Sequence, residues 1–114
     1  MIDESVIAGI KASFGDDGSV VCELIELYVT DSPQQLVEAT TAIAQQDAQM
    51  LRRAAHSLKS TSDMLGATMA SQCAGELERL ALQHDLAQSP AALDRLTLAV
   101  NSAVAAVTKM KLDS

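Results

Sequence analysis

Aromatic residues are nearly missing from this chain: 114 residues contain one Tyr, one Phe and no Trp. The interior must therefore be aliphatic, and an apolar content of 48% is enough to build one in a chain of single-domain length. Glycine and proline are scarce, at five and two, so the chain has few places to turn. Positive charge is also short, with eight Lys and Arg against 15 acids and a net charge of −7. A surface that neutralises phosphates needs clustered cations, so no nucleic-acid partner is expected. No apolar run approaches the ~20 residues of a membrane span, and no membrane insertion is expected. The two cysteines, Cys22 and Cys73, lack the CxxC spacing of a zinc or redox site. They read as reduced, small apolar side chains. The opening MIDESVIAGIK carries acids where a secretory signal would be basic, which points to a cytoplasmic protein. Met1 and this acidic start lean towards a free-standing protein rather than the end of a larger sensor kinase.

What is present is helical. Val6, Ile7 and Ile10 give a short amphipathic first helix, opened by Asp3 and ended near Phe14-Gly15. Asp16-Asp17-Gly18-Ser19 reads as a turn. Val20 or Val21, Leu24, Leu27 and Tyr28 then recur at helical spacing, continued by Leu36 and Ile43. Ser32-Pro33 allows two readings. With Gln35 it resembles a capping box before a proline at the first helical position, or it marks a kink in one long helix from about Ser19 to Gln46. Asp47 is a cap for the next helix, and Gly66 closes that helix as a C-terminal glycine would. Met69, Cys73, Leu77 and Leu80 form the following stripe. Ser89-Pro90 opens a last helix, in which Leu93, Leu96, Val100, Ala103, Val107 and Met110 keep the three-four spacing. The expected fold is all-α, an up-and-down antiparallel four-helix bundle of about 19–114, with an accessory N-terminal helix within 1–15 that covers one end. One domain over 1–114 and a monomer are expected.

The candidate chemistry lies in HSLKSTSDMLGA, residues 56–67. At about 100° per residue, Leu51, Ala54, Leu58, Ser62 and Leu65 form the core side of the helix. Arg52, Arg53, Lys59, Ser60 and Asp63 lie within ~60° of His56, and all are polar. His56 therefore belongs to the solvated face rather than the core. A metal site needs several convergent ligands, and only Asp63 is near. Hydrolysis needs a base, an orienting group and a pocket, which one convex face does not offer. Phosphoryl transfer asks less: an exposed, correctly placed imidazole suffices when a partner supplies the metal ion. Lys59, one turn on, is placed to attract an acyl phosphate and then to pair with the phosphorylated ring, and Arg52 and Arg53 add positive potential. His84 has no lysine three residues on and reads as helix-terminal or solvated.

His56-Ser57-Leu58-Lys59, with Gly66 ten residues after the histidine, resembles the signature of histidine-containing phosphotransfer (HPt) domains. Leu51-Arg52-Arg53-Ala54-Ala55, Phe14 before an acidic turn, Leu24 to Leu36 with Pro33, and Leu77-Glu78 are similar to the family's surroundings. The resemblance implies a phosphoacceptor at His56, with Lys59 as the charge beside the phosphate. It also implies exchange with the aspartate of response-regulator receiver domains. One departure stands out: the family usually has glycine after the lysine, where this chain has Ser60. Arg52, Arg53, Ser60 and Asp63 are the expected partner-contacting residues, and Gly66 is structural.

The expected function is that of a phosphorelay intermediate between a hybrid sensor histidine kinase and a response regulator, without independent enzymatic activity. The chain is too short and too helical to hold a kinase ATP-binding domain or a receiver. No cofactor is expected on it, and Mg2+ is expected on the receiver. The alternative, kept open by Ser60, is a docking module that binds a receiver or kinase without carrying phosphate. A metal- or haem-binding bundle is weaker, because the ligands are missing.

Overall fold

Asp47 takes up an extended backbone conformation and its carboxylate accepts the Met50 N–H at 3.0 Å, satisfying one of the free donors that open a helix. Such signals delimit five helices in the computed structural model, which describes residues 2–13 and 19–113. They are α1 (Glu4–Ser13), α2 (Ser19–Ala44), α3 (Ala48–Met64), α4 (Thr68–Leu82) and α5 (Ser89–Asp113). The expected helix end at Phe14-Gly15, the turn at 16–18 and the Phe14 likeness lie outside the described residues. Asp3 opens α1, its carboxylate accepting the Ser5 N–H at 3.0 Å and the Ser5 hydroxyl at 2.6 Å. These hydrogen bonds hold the Asp3 carboxyl below its ordinary pKa.

Three helices end in the same way. After α2, α3 and α4 the chain enters the left-handed region at Gln46, Gly66 and His84, with φ of 56°, 70° and 54°. In each case the next two N–H groups fold back onto the last turn, Gly66 N–H onto Asp63 C=O and Ala67 N–H onto Ser62 C=O among them. Glycine adopts this conformation without strain; glutamine and histidine do not. Gly66 is further constrained, because an added Cβ would lie 2.7 Å from the Asp3 carbonyl oxygen. Asp3 N–H donates to the Gly66 carbonyl at 2.7 Å, and Ile2 bridges Ala67. The turn that ends α3 thus also anchors the N-terminal segment, and α1 buries Ile7 at that end.

α3 packs between α2 and α4, and α5 between α4 and α2, closing the expected all-α bundle. α2 and α5, at 26 and 25 residues, outrun α3 and α4, at 17 and 15. The core is aliphatic, as the lack of aromatics requires, and rich in alanine. Leu51, Ala54, Leu58, Ser62 and Leu65 are all buried, as the wheel predicts. Two stripes differ from expectation. On α2 the buried residues are Val21, Ile25, Tyr28, Ser32, Ala39 and Ala42, while Leu27 is exposed. On α4 they are Ala70, Ser71, Ala74, Leu77, Leu80 and Ala81, with Met69 exposed and Cys73 half-buried. Apolar size misleads here, because the neighbouring helices meet small residues instead. Burial and the nearby Glu76 carboxylate raise the Cys73 thiol pKa, partly offset by Arg95.

Ser32-Pro33 proves to lie inside one helix, so the capping-box reading fails: Ser32 is buried mid-helix. Pro33 leaves Val29 without the N–H that would bond its carbonyl, and it sits on the exposed side where water can reach. Nearby, Tyr28 and Ser62 share a buried hydrogen bond at 3.0 Å that ties α2 to α3. Burial raises the Tyr28 pKa above its ordinary 10.0, with the Ser62 hydrogen bond opposing the rise.

Gly66→Ala is expected to cost at least about 1–2 kcal/mol, the left-handed penalty alone. Gln46→Gly and His84→Gly should each gain about 0.5–1 kcal/mol, the same penalty relieved less the added chain entropy. Urea denaturation measures all three. Tyr28 is the chain's one tyrosine, and its stabilising contribution is complete below the ordinary pKa. It fades as pH rises towards the raised folded value, because the unfolded chain ionises first. Above pH 10.0 the wild type should therefore lose more stability than Tyr28→Phe, as measured by denaturation at each pH.

Candidate functional site

His56 lies on the exposed side of α3, its side chain 60% accessible, and its Nδ1 sits 2.8 Å from Glu78 Oε2 on α4. The Glu78 side chain is only 18% accessible. A carboxylate can only accept, so Nδ1 carries the hydrogen and donates it. In the neutral ring this places the lone pair on Nε2, the nitrogen that Glu78 leaves free. An imidazole oriented in this way through its second nitrogen is the usual device for presenting the first to an electrophile or a metal.

The same seam holds the other polar groups. Lys59 runs its stem along Gly75 of α4, where an added Cβ would lie 3.5 Å from Lys59 Cε. Asp63 accepts a short hydrogen bond from the Ser71 hydroxyl. Arg52 lines a shallow groove of about 310 Å³ with Ala48, Gln49, Ala81, Leu82 and His84. Each step forward on α3 is matched by an equal step back on α4: 52 meets 82, 56 meets 78, 59 meets 75 and 63 meets 71. Arg53 and Ser60, both exposed, fall on the other side of His56 at about 100° per residue, towards α2.

Residues 23–106 match the family model described as the Hpt domain. The chain belongs to the Hpt domain family. It is also similar to the crystal structure of histidine-containing phosphotransfer protein B (HptB) from Pseudomonas aeruginosa PAO1. That chain shares 26% identity and a TM-score of 0.88, over 99% of this chain and 96% of that one. No curated protein matches. As an Hpt domain the chain is a histidine phosphotransfer module, and the family's members are phosphocarriers that work with receiver domains and kinases.

Within the Hpt domain, the residues singled out from sequence share one helix face, but they do not share one neighbour. Arg52, His56, Lys59 and Asp63 meet α4; Arg53 and Ser60 do not. Glu78, Gly75, Ser71 and Leu82 are the α4 residues that sequence reasoning left unassigned. A signal for them existed: a tight turn at Gly66-Ala67 makes α3 and α4 mirror one another about residue 67, and that mirror carries His56 onto Glu78. His84 is helix-terminal and exposed, as expected, though it also borders the Arg52 groove. Among the described residues no three His, Cys, Asp or Glu side chains converge as metal ligands would, and no helix is long and apolar enough to cross a membrane.

Removing the Glu78 acceptor should release the tautomer. At alkaline pH, nitrogen NMR of the wild type is expected to show His56 Nδ1 protonated and Nε2 bare. In Glu78→Ala the two nitrogens should move towards averaged shifts.

Proposed function

We propose that His56 is the phosphoacceptor of a phosphorelay intermediate. It takes a phosphoryl group from the receiver aspartate of a hybrid sensor histidine kinase and passes it to the receiver of a response regulator. The observation that carries this reading is the exposed imidazole whose Nδ1 is held by Glu78. In the transfer, Nε2 attacks phosphorus, the N–P bond forms, the P–O bond of the aspartyl phosphate breaks, and the aspartate leaves as its carboxylate. The positive charge that develops on the ring lies against the Glu78 carboxylate, whose hydrogen bond from Nδ1–H strengthens as charge builds. Lys59, stretched across Gly75, holds an ammonium one turn from the ring for the phosphoryl oxygens.

The divalent cation that such a transfer requires belongs to the receiver, since the acid beside His56 is committed to orienting the ring. The reaction needs no pocket on this chain, because the receiver closes over the histidine and excludes water. We read residues 1–114 as one such domain, acting as a cytoplasmic monomer, with α1 and Gly66 as structural parts.

Incubation with a phosphorylated receiver should place acid-labile, base-stable phosphate on the wild-type chain and none on His56→Gln. Label that survives His56→Gln overturns the site. No label on the wild type from a panel of receivers overturns carriage and leaves a docking module. Lys59→Ala should slow transfer roughly tenfold, the loss of one charge-assisted hydrogen bond, read from single-turnover time courses.

A further inference from the structure

The charge of this acidic chain is unevenly distributed, and the unevenness gives the His56 face a direction. α2 carries Glu23, Glu26, Asp31 and Glu38 and no Lys or Arg. Of the eight Lys and Arg residues, Arg52, Arg53, Lys59 and Arg79 lie on α3 and α4. The acids of α3 and α4 are engaged: Glu78 with His56, Glu76 with Arg95 at 2.5 Å, and Asp63 with Ser71. No hydrogen bond or ion pair among the described residues engages the head groups of Arg52, Arg53 or Lys59. Along α3 the charge runs from Arg52 through His56 and Lys59 to Asp63, so the positive end is the Arg52 end. At that end an apolar surface also opens: Leu82 is 61% exposed and lines the groove with Arg52 and His84.

We propose that this groove, one turn from His56 between α3 and α4, is a docking subsite for the partner receiver domain. It would receive an apolar side chain against Leu82, with a carboxylate beside it on Arg52. The inference rests on the phosphocarrier reading and adds the side from which the partner approaches. A receiver must present a dianionic acyl phosphate and a divalent cation held by carboxylates, so its docking face is acid-rich. Such a face is attracted to the Arg52 end and repelled by α2. Sterics point the same way. Ser60 puts a side chain on the α2 side of His56, while Gly75 keeps the α4 side low. A shallow groove with one exposed leucine and one free arginine has the make-up of a small interface anchor rather than a small-molecule pocket.

The test compares two phosphate donors on the full chain. Phosphoramidate labels an exposed histidine without protein docking and so serves as the reference. A receiver domain that labels the wild type, charged with acetyl phosphate, supplies the docked reaction. In Arg52→Glu and Leu82→Glu, the ratio of receiver-driven to phosphoramidate-driven labelling should fall at least tenfold. The loss should appear in the half-saturating receiver concentration, and in Arg52→Glu the ratio should depend less on salt. Leu98→Glu, still more exposed and on α5, should leave the ratio within twofold of wild type. Ratios within twofold of wild type in both groove variants overturn the subsite, as does an equal fall in Leu98→Glu. Absence of label on the wild type from either donor overturns the phosphocarrier reading instead, so the two failures are distinct.

Discussion

The close approach of α3 and α4 is the constraint on which the site depends. It is made possible by small side chains, Ala55, Ala74 and Ala81 among them, buried along these two helices. Without that approach Glu78 would not reach His56, Gly75 would not carry the Lys59 stem, and Arg52 would not share a groove with Leu82 and His84. The cost of building a bundle from alanine is a modest apolar area per residue. Compensation comes from the length of α2 and α5 and from a few polar ties, chiefly the Tyr28–Ser62 hydrogen bond. Ser32, fully buried with no hydrogen-bond partner for its hydroxyl, shows that the polar interior is not wholly satisfied.

The turn at Gly66 sets the register of that approach. Its left-handed glycine reverses the chain in a minimal span, and the reversal fixes which α4 residue faces each α3 residue. The same glycine admits the Asp3 backbone, so the N-terminal segment is clamped to the register-setting turn. A side chain there would disturb three things at once: the helix end, the pairing of His56 with Glu78, and the docking of α1. The other two helix ends use glutamine and histidine in the same conformation and carry its strain.

A phosphocarrier must be reactive towards a partner yet inert in water. The site meets this with very little apparatus: one oriented imidazole, one carboxylate behind it, one ammonium alongside. On the proposed reading the receiver supplies the metal ion and the closure, and this chain contributes the exposed, oriented imidazole. In the proposed docking, the charge gradient along α3, from Arg52 to Asp63, supplies orientation rather than chemistry.

The sequence by itself determined the helical class, the solvated placement of His56 with Lys59, the Asp47 cap and the Gly66 stop. Each of these depends on residues near one another in the chain, where propensity, capping and a 3.6-residue period act directly. It did not settle whether Pro33 breaks α2, because the helix on either side is held by packing that local signals do not contain. It missed the burial of the α4 alanines and the exposure of Leu27 and Met69, since apolar size does not say which face a neighbouring helix will cover. Above all, the partner of His56 was decided by tertiary structure. Glu78 lies 22 residues away, and a hydrogen bond at that separation exists only once two helices fold back on a turn and lock their register.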